Sequence, residues 1–139
     1  MKNILKFSFI SLLAFSIVSC KNDRFDENEI TSIDPVKIDS VKIAQDSMDV
    51  FSIQTIKTYS DYSANCEGFY GYDYVHVDNL TRNIVSYKFK TSVVCGEKKP
   101  RISQINFRPQ ITGTYKFKFW NGKDSSGKNI WIEKEIVVE

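Results

Sequence analysis

His76 is the only histidine in this 139-residue chain, so Ser-His-Asp or Cys-His catalysis would have to run through it. It alternates with Tyr74 and Asp78 in "YDYVHVD", which puts the three side chains on one face of an extended strand. No Gly-x-Ser-x-Gly turn supplies a serine nucleophile. A lone histidine on a strand then reads as a packed or half-exposed side chain. Asp61, Glu67, Asp73 and Asp78 could furnish an acid and a base for glycoside hydrolysis, but their spacing singles out no pair. Zinc needs at least three nitrogen, sulfur or acid ligands, and the chain offers no convincing set. In "NGKDSSGKN", residues 121 to 129, Asp124, Ser126 and Asn129 provide oxygen atoms, but the further acids and closing Glu of a calcium loop are missing. The chain therefore reads as a non-enzyme with no metal and no cofactor, a small hydrolase around His76 being the catalytic alternative.

The denser signal is aromatic. "EGFYGYDYVHV" sets Phe69, Tyr70, Tyr72 and Tyr74 within six positions, and Trp120 and Trp131 flank the 121–129 loop, where they can face each other across a hairpin. Tyr and Trp on a rigid sheet provide contact area at little entropic cost and are enriched at interfaces. These six residues form a candidate patch for a protein or glycan ligand. The bland alternative packs Tyr72 and Tyr74 on one sheet face and leaves the Trp pair covering a sheet edge.

The N-terminus supplies an address. Lys2 and Lys6 precede the apolar run "FSFISLLAFSIV", residues 7 to 18, which has the make-up of a signal-peptide core. At about 12 residues it falls short of the roughly 20 needed to span a bilayer. Ile17-Val18-Ser19-Cys20 resembles the lipobox of bacterial lipoproteins. The resemblance implies cleavage after Ser19, a diacylglycerol on the Cys20 thiol and acylation of the freed amine. Two or more acyl chains hold a protein on a membrane, whereas one binds marginally. The segment 20–33, with Asp23, Asp26, Glu27 and Glu29, reads as a disordered acidic tether. "NDRFDE" within it loosely resembles the surface-export signal of Bacteroidota-type lipoproteins, and Asp39-Ser40-Val41 and Asp46-Ser47-Met48 resemble that group's O-glycosylation sites, at Ser40 and Ser47.

Cleavage removes Lys2 and Lys6, which brings the 19 basic residues of the precursor to parity with its 17 acidic ones. A neutral mature chain excludes nucleic-acid binding by bulk basicity. Rich in Tyr, Phe, Ile, Val and Thr, the remainder favours strands, and its length suits one domain, residues 34–139.

From Pro35 onward, period-2 runs bounded by turn residues recur about every ten residues. They predict strands near 35–43, 50–59, 71–78, 84–91, 102–108, 113–120 and 129–138. Seven antiparallel strands at this spacing suggest an immunoglobulin-like β-sandwich. In "TGTYKFKFW", Tyr115, Phe117 and Phe119 share one face and Lys116, Lys118 and Trp120 the other. Gly113-Thr114-Tyr115 resembles the tyrosine corner of immunoglobulin-like folds, which implies a hydrogen bond from the Tyr115 hydroxyl back across the corner. Phe117 stands where antibody domains carry their second cysteine, so that family's inter-sheet disulfide is absent. With Cys20 acylated, Cys66 and Cys95 are the two thiols left. In an oxidising compartment they should pair, pinning both ends of a hairpin that turns at residues 78–83; no Cys-x-x-Cys spacing points to redox work.

These features describe a lipid-anchored, non-catalytic binding or structural module of the outer membrane, with an inhibitor or immunity lipoprotein against a secreted toxin or protease as the rival. Its expected partners are the membrane, through the lipid, and a protein or glycan ligand.

Overall fold

The computed structural model describes residues 29–139; the expected signal peptide, Cys20 and most of the expected tether lie outside them. Nine strands follow one another: β1 Ile30–Val36, β2 Ser40–Ile43, β3 Ser47–Met48, β4 Gln54–Ser63, β5 Glu67–His76, β6 Thr81–Thr91, β7 Lys98–Phe107, β8 Gly113–Lys123 and β9 Asn129–Val138. β2, β4 and β7 make a three-stranded sheet, and the other six make the second sheet.

Alternation in the sequence explains most of these elements. Along β8 the Tyr115, Phe117 and Phe119 side chains are buried, while Lys116 and Lys118 lie on the outer face and pair with Glu135 at 3.8 Å and Glu133 at 3.2 Å on β9. Between the sheets, Ile38, Ile56, Ile84, Phe107, Tyr115, Phe117, Phe119, Ile136 and Val138 form the core. Phe107 meets two of them edge-on, with ring centroids 4.9 Å from both Tyr115 and Phe117.

Strand ends shift by up to four residues from the expectation, as in β4 at 54–63 and β7 at 98–107, and four larger features differ. The predicted strand 35–43 is two strands in different sheets, because Ile38 breaks the run. Its amide donates to the Trp120 carbonyl at 2.9 Å, its carbonyl accepts from Asn121 Nδ2 at 2.7 Å, and its side chain is fully buried. The short β3 was not anticipated and pairs parallel with β9 through Ser47↔Val137 and Met48↔Val138. Residues 30–33, assigned to the tether, belong to β1, which pairs with β6. The larger sheet is also mixed: residues 81–84 of β6 run parallel to residues 116–119 of β8, while residues 86–91 of the same edge run antiparallel to β1. A purely antiparallel seven-stranded sandwich is thus corrected to nine strands with two parallel pairings.

Cys66 and Cys95 form a disulfide with Cα atoms 4.8 Å apart, inside the range of roughly 4.4 to 6.8 Å that a bridge permits. It ties the β4–β5 turn to the β6–β7 connection. Backbone bonds from Ala64 to Glu97, from Gly96 to Ala64 and from Thr91 to Cys66, at 2.9, 2.8 and 2.8 Å, reinforce the junction. Asn65 takes the left-handed conformation of that turn, φ 67°, which Asn tolerates better than most residues. Beneath the junction the buried Glu67 carboxylate accepts from the Ser63 amide at 2.8 Å and pairs with Lys88.

Candidate functional site

At the end of the domain where the β5–β6 hairpin turns and β7 finishes, the two sheets part around a cleft of about 660 Å3. That volume lies within the roughly 300 to 1,000 Å3 of small-ligand sites. Tyr74 and His76 of β5, Asp78 and Asn79 of the turn, and Arg82 of β6 line it on one side. The opposite wall is Asn106, Phe107, Arg108, Pro109, Gln110 and Ile111, with Tyr115 at its floor.

Arg82 is 6% exposed. Period 2 along β6 turns Arg82, Ile84 and Ser86 to the interior together, so the guanidinium enters the space between the sheets. There Nη1 donates to the Asp78 and Thr81 carbonyls at 2.8 and 3.0 Å and Nη2 to the Asn79 carbonyl at 3.0 Å, while the guanidinium carbon lies 5.3 Å from the Tyr115 ring centroid. A charged donor bonded to three carbonyls and stacked on an aromatic face keeps part of its solvation. Burial pushes the Tyr74 phenol above its ordinary pKa, against the opposing charge and hydrogen bond of Arg82.

Asp78 closes the turn. Its Oδ1 accepts from the Leu80 and Thr81 amides at 2.8 and 2.7 Å, and these bonds, foremost that from Leu80, hold its carboxyl below the usual range. Arg108 is fixed from another direction. Its Nε donates to the Phe51 carbonyl at 3.1 Å, and the Phe51 amide donates to the Pro109 carbonyl at 2.9 Å. Phe51 has φ 66°, a left-handed conformation that costs a bulky residue of order 1–3 kcal/mol. A strained backbone position therefore anchors the wall that carries Arg108.

The six aromatic residues expected to form one patch occupy separate places. Tyr72 and Tyr74 turn inward, and the Tyr72 hydroxyl bonds the Thr58 hydroxyl at 2.7 Å across the two sheets. Burial, opposed by bonds to Thr58 and Ser103, raises its pKa. Phe69 packs on Tyr72 with centroids 4.8 Å apart. Tyr70 is the extra residue of a bulge between Phe69 and Gly71 and is exposed. Trp120 and Trp131 are directly paired across β8 and β9, and the Trp120 indole donates to Asn129 Oδ1 at 3.1 Å. Only Tyr74 of the six reaches the cleft.

His76 stacks edge-on against Tyr74 at 5.5 Å and shares the cleft with Asp78, as their alternation implied. Sequence reasoning missed Arg82, Arg108, Asn106 and Gln110. No sequence signal marked them, because on β6 the face opposite Arg82 is the more apolar one and only the fold turns Arg82 inward. Asp124 organises its own hairpin, its Oδ1 accepting from the Ser126 and Lys128 amides at 2.9 Å each, with no cluster of three metal-binding side chains among the described residues. Ser40 and Ser47 are both exposed, at the start of β2 and of β3. Comparison of the chain with family models, curated proteins and solved structures found no match.

Proposed function

We propose that this chain is a lipid-anchored, non-catalytic binding lipoprotein of the bacterial outer membrane, facing the periplasm or the cell surface, and that it holds a glycan in the cleft beside β5. The observation that carries the reading is the cleft itself: a preformed concavity of ligand size, walled by amide, guanidinium and aromatic side chains from β5, β6, β7 and β8 and from the loops at 78–79 and 108–111. His76 contributes a ring face packed on Tyr74, in keeping with recognition. The anchor rests on Cys20 and the lipobox resemblance. O-glycosylation at Ser40 and Ser47 belongs to the same reading, and the exposure of both residues favours it.

An immunoglobulin-like character of the fold is also part of this proposal. It draws support from the Tyr115 hydroxyl, which donates to the Ile111 carbonyl at 3.2 Å in the manner of a tyrosine corner.

Two measurements test the function. Cys20→Ala should release the processed protein from membranes, and sedimentation of the cleaved variant with membranes would remove the anchor. Screening the full chain in detergent against neutral and acidic oligosaccharides, with NMR shifts read at Tyr74, His76 and Gln110, should locate a ligand in the cleft. A second reading, an inhibitor or immunity lipoprotein, is favoured by the outer face, where Trp120 and Trp131 form a ladder and Tyr70 protrudes. Shifts confined to those three residues on adding an envelope protein would select it.

A further inference from the structure

We infer that the cleft recognises an acidic sugar, a uronate-type ring whose carboxylate pairs with Arg82 and Arg108. This rests on the glycan-binding reading and adds the charge of the ligand.

The starting point is an electrostatic imbalance. A guanidinium stays protonated in a protein interior, and burial of a charge is costly unless it is paired and hydrogen-bonded. Arg82 has carbonyls and an aromatic face, but among the described residues neither it nor Arg108 has an ion-pair partner. The single carboxylate lining the cleft, Asp78, commits Oδ1 to two turn amides and feels the Arg82 charge without forming an ion pair with it, so it can offset at most one of the two cations. Two fixed cations and one engaged anion leave the cleft positive.

The two arginines are also oriented. Three carbonyls take both Nη1 protons and one Nη2 proton of Arg82, so Arg82 offers a ligand its charge and its remaining Nε and Nη2 protons, while the bond from Arg108 Nε to Phe51 leaves both terminal nitrogens of Arg108 free. Planar forks held in this way match a carboxylate with two parallel bonds. Capping the turn carbonyls would by itself account for Arg82. It does not account for Arg108, which is held on the facing wall by a strained residue.

The rest of the lining favours a sugar as the bearer of that carboxylate. Asn79, Asn106 and Gln110 each present a donor and an acceptor, the combination that ring hydroxyls satisfy. Tyr74 and His76, set edge-on, give apolar ring surface for the C–H face of a pyranose.

The test titrates the full chain in detergent with galacturonate and glucuronate trimers and with their methyl esters, which keep the rings and hydroxyls but lose the charge. Binding is read by calorimetry and by NMR shifts at cleft residues. The expected result is that at least one acid trimer binds, that esterification weakens it by about tenfold or more, the scale of a charge-assisted paired bond, and that added salt weakens it further. Arg82→Met risks misfolding, so the exposed Arg108→Gln serves as the variant. It should lose about tenfold for the acid and little for the ester, with the thermal midpoint unchanged. Esters that bind in the cleft as tightly as acids overturn the charge inference and leave the glycan reading standing. Arg108→Gln binding the acid as well as the parent overturns it too. If no trimer of either kind binds, the glycan reading falls with it.

Discussion

Breaking the Cys66–Cys95 bridge, with Cys66→Ala and Cys95→Ala together, should destabilise the domain by about 3.5 kcal/mol. The figure follows from a loop of 29 residues in sequence separation, whose closure in the unfolded chain removes about 12 cal/mol/K of entropy. At about 2.1 cal/mol/K per residue, a domain of some 110 residues unfolds with about 0.23 kcal/mol/K. The midpoint should therefore fall by about 15 °C. Loss of the bond itself should hardly change the native side of the balance, because β5 and β6 keep their ladder from Glu67↔Lys90 to His76↔Arg82 without the bridge. Cys66 is fully buried, so its replacement also removes packing. Thermal unfolding of the oxidised protein separates the two contributions: the parent under reductant loses the loop constraint alone, while the double variant loses the sulfur atoms as well. The variant should be indifferent to reductant. A parent whose midpoint moves by less than about 3 °C on complete reduction would refute the loop-entropy reasoning.

Tyr115→Phe removes the hydroxyl that bonds the Ile111 carbonyl at 3.2 Å and should cost about 1 kcal/mol, or about 4 °C; an unchanged midpoint would show that the corner bond contributes nothing. Burial alone would raise the Glu67 carboxyl, but the Lys88 hydrogen bond, the Ser63 amide and the Lys88 charge together bring it below its ordinary value. Its stabilising share is thus present above the unfolded pKa and is lost as pH falls through the folded one. Denaturant unfolding should show stability dropping on the acid side of that unfolded value, with a shallower drop in Glu67→Gln; equal slopes would contradict the assignment. Phe51→Asn should relieve left-handed strain at an exposed position and raise the midpoint by a few degrees, about 1 kcal/mol. A lowered midpoint would mean that the Phe51 ring matters more than its backbone.

Local alternation was enough to read the all-β class, the inward Tyr115, Phe117 and Phe119 and the facing Trp120 and Trp131, while the cysteine pairing came from the count of thiols and the hairpin between them. Each of these depends on one strand's own period or on two strands joined by a short turn, and such information is written in consecutive residues. β6 shows where that information stops. Its sequence offers Arg82, Ile84, Ser86 and Lys88 on one face and Asn83, Val85, Tyr87 and Phe89 on the other, and hydrophobicity alone would bury the second set. The fold buries Arg82, Ile84 and Ser86, because the parallel ladder with β8 fixes which face of β6 continues the core of Phe117 and Phe119. That ladder joins segments more than thirty residues apart, and its existence depends on β1 leaving half of the β6 edge vacant, a decision made by Ile38 and its partners on β8. The cleft follows from the same choice. Arg82 becomes a buried cation opposite Arg108 only once packing between distant strands has turned it inward, and no spacing within either strand encodes that meeting.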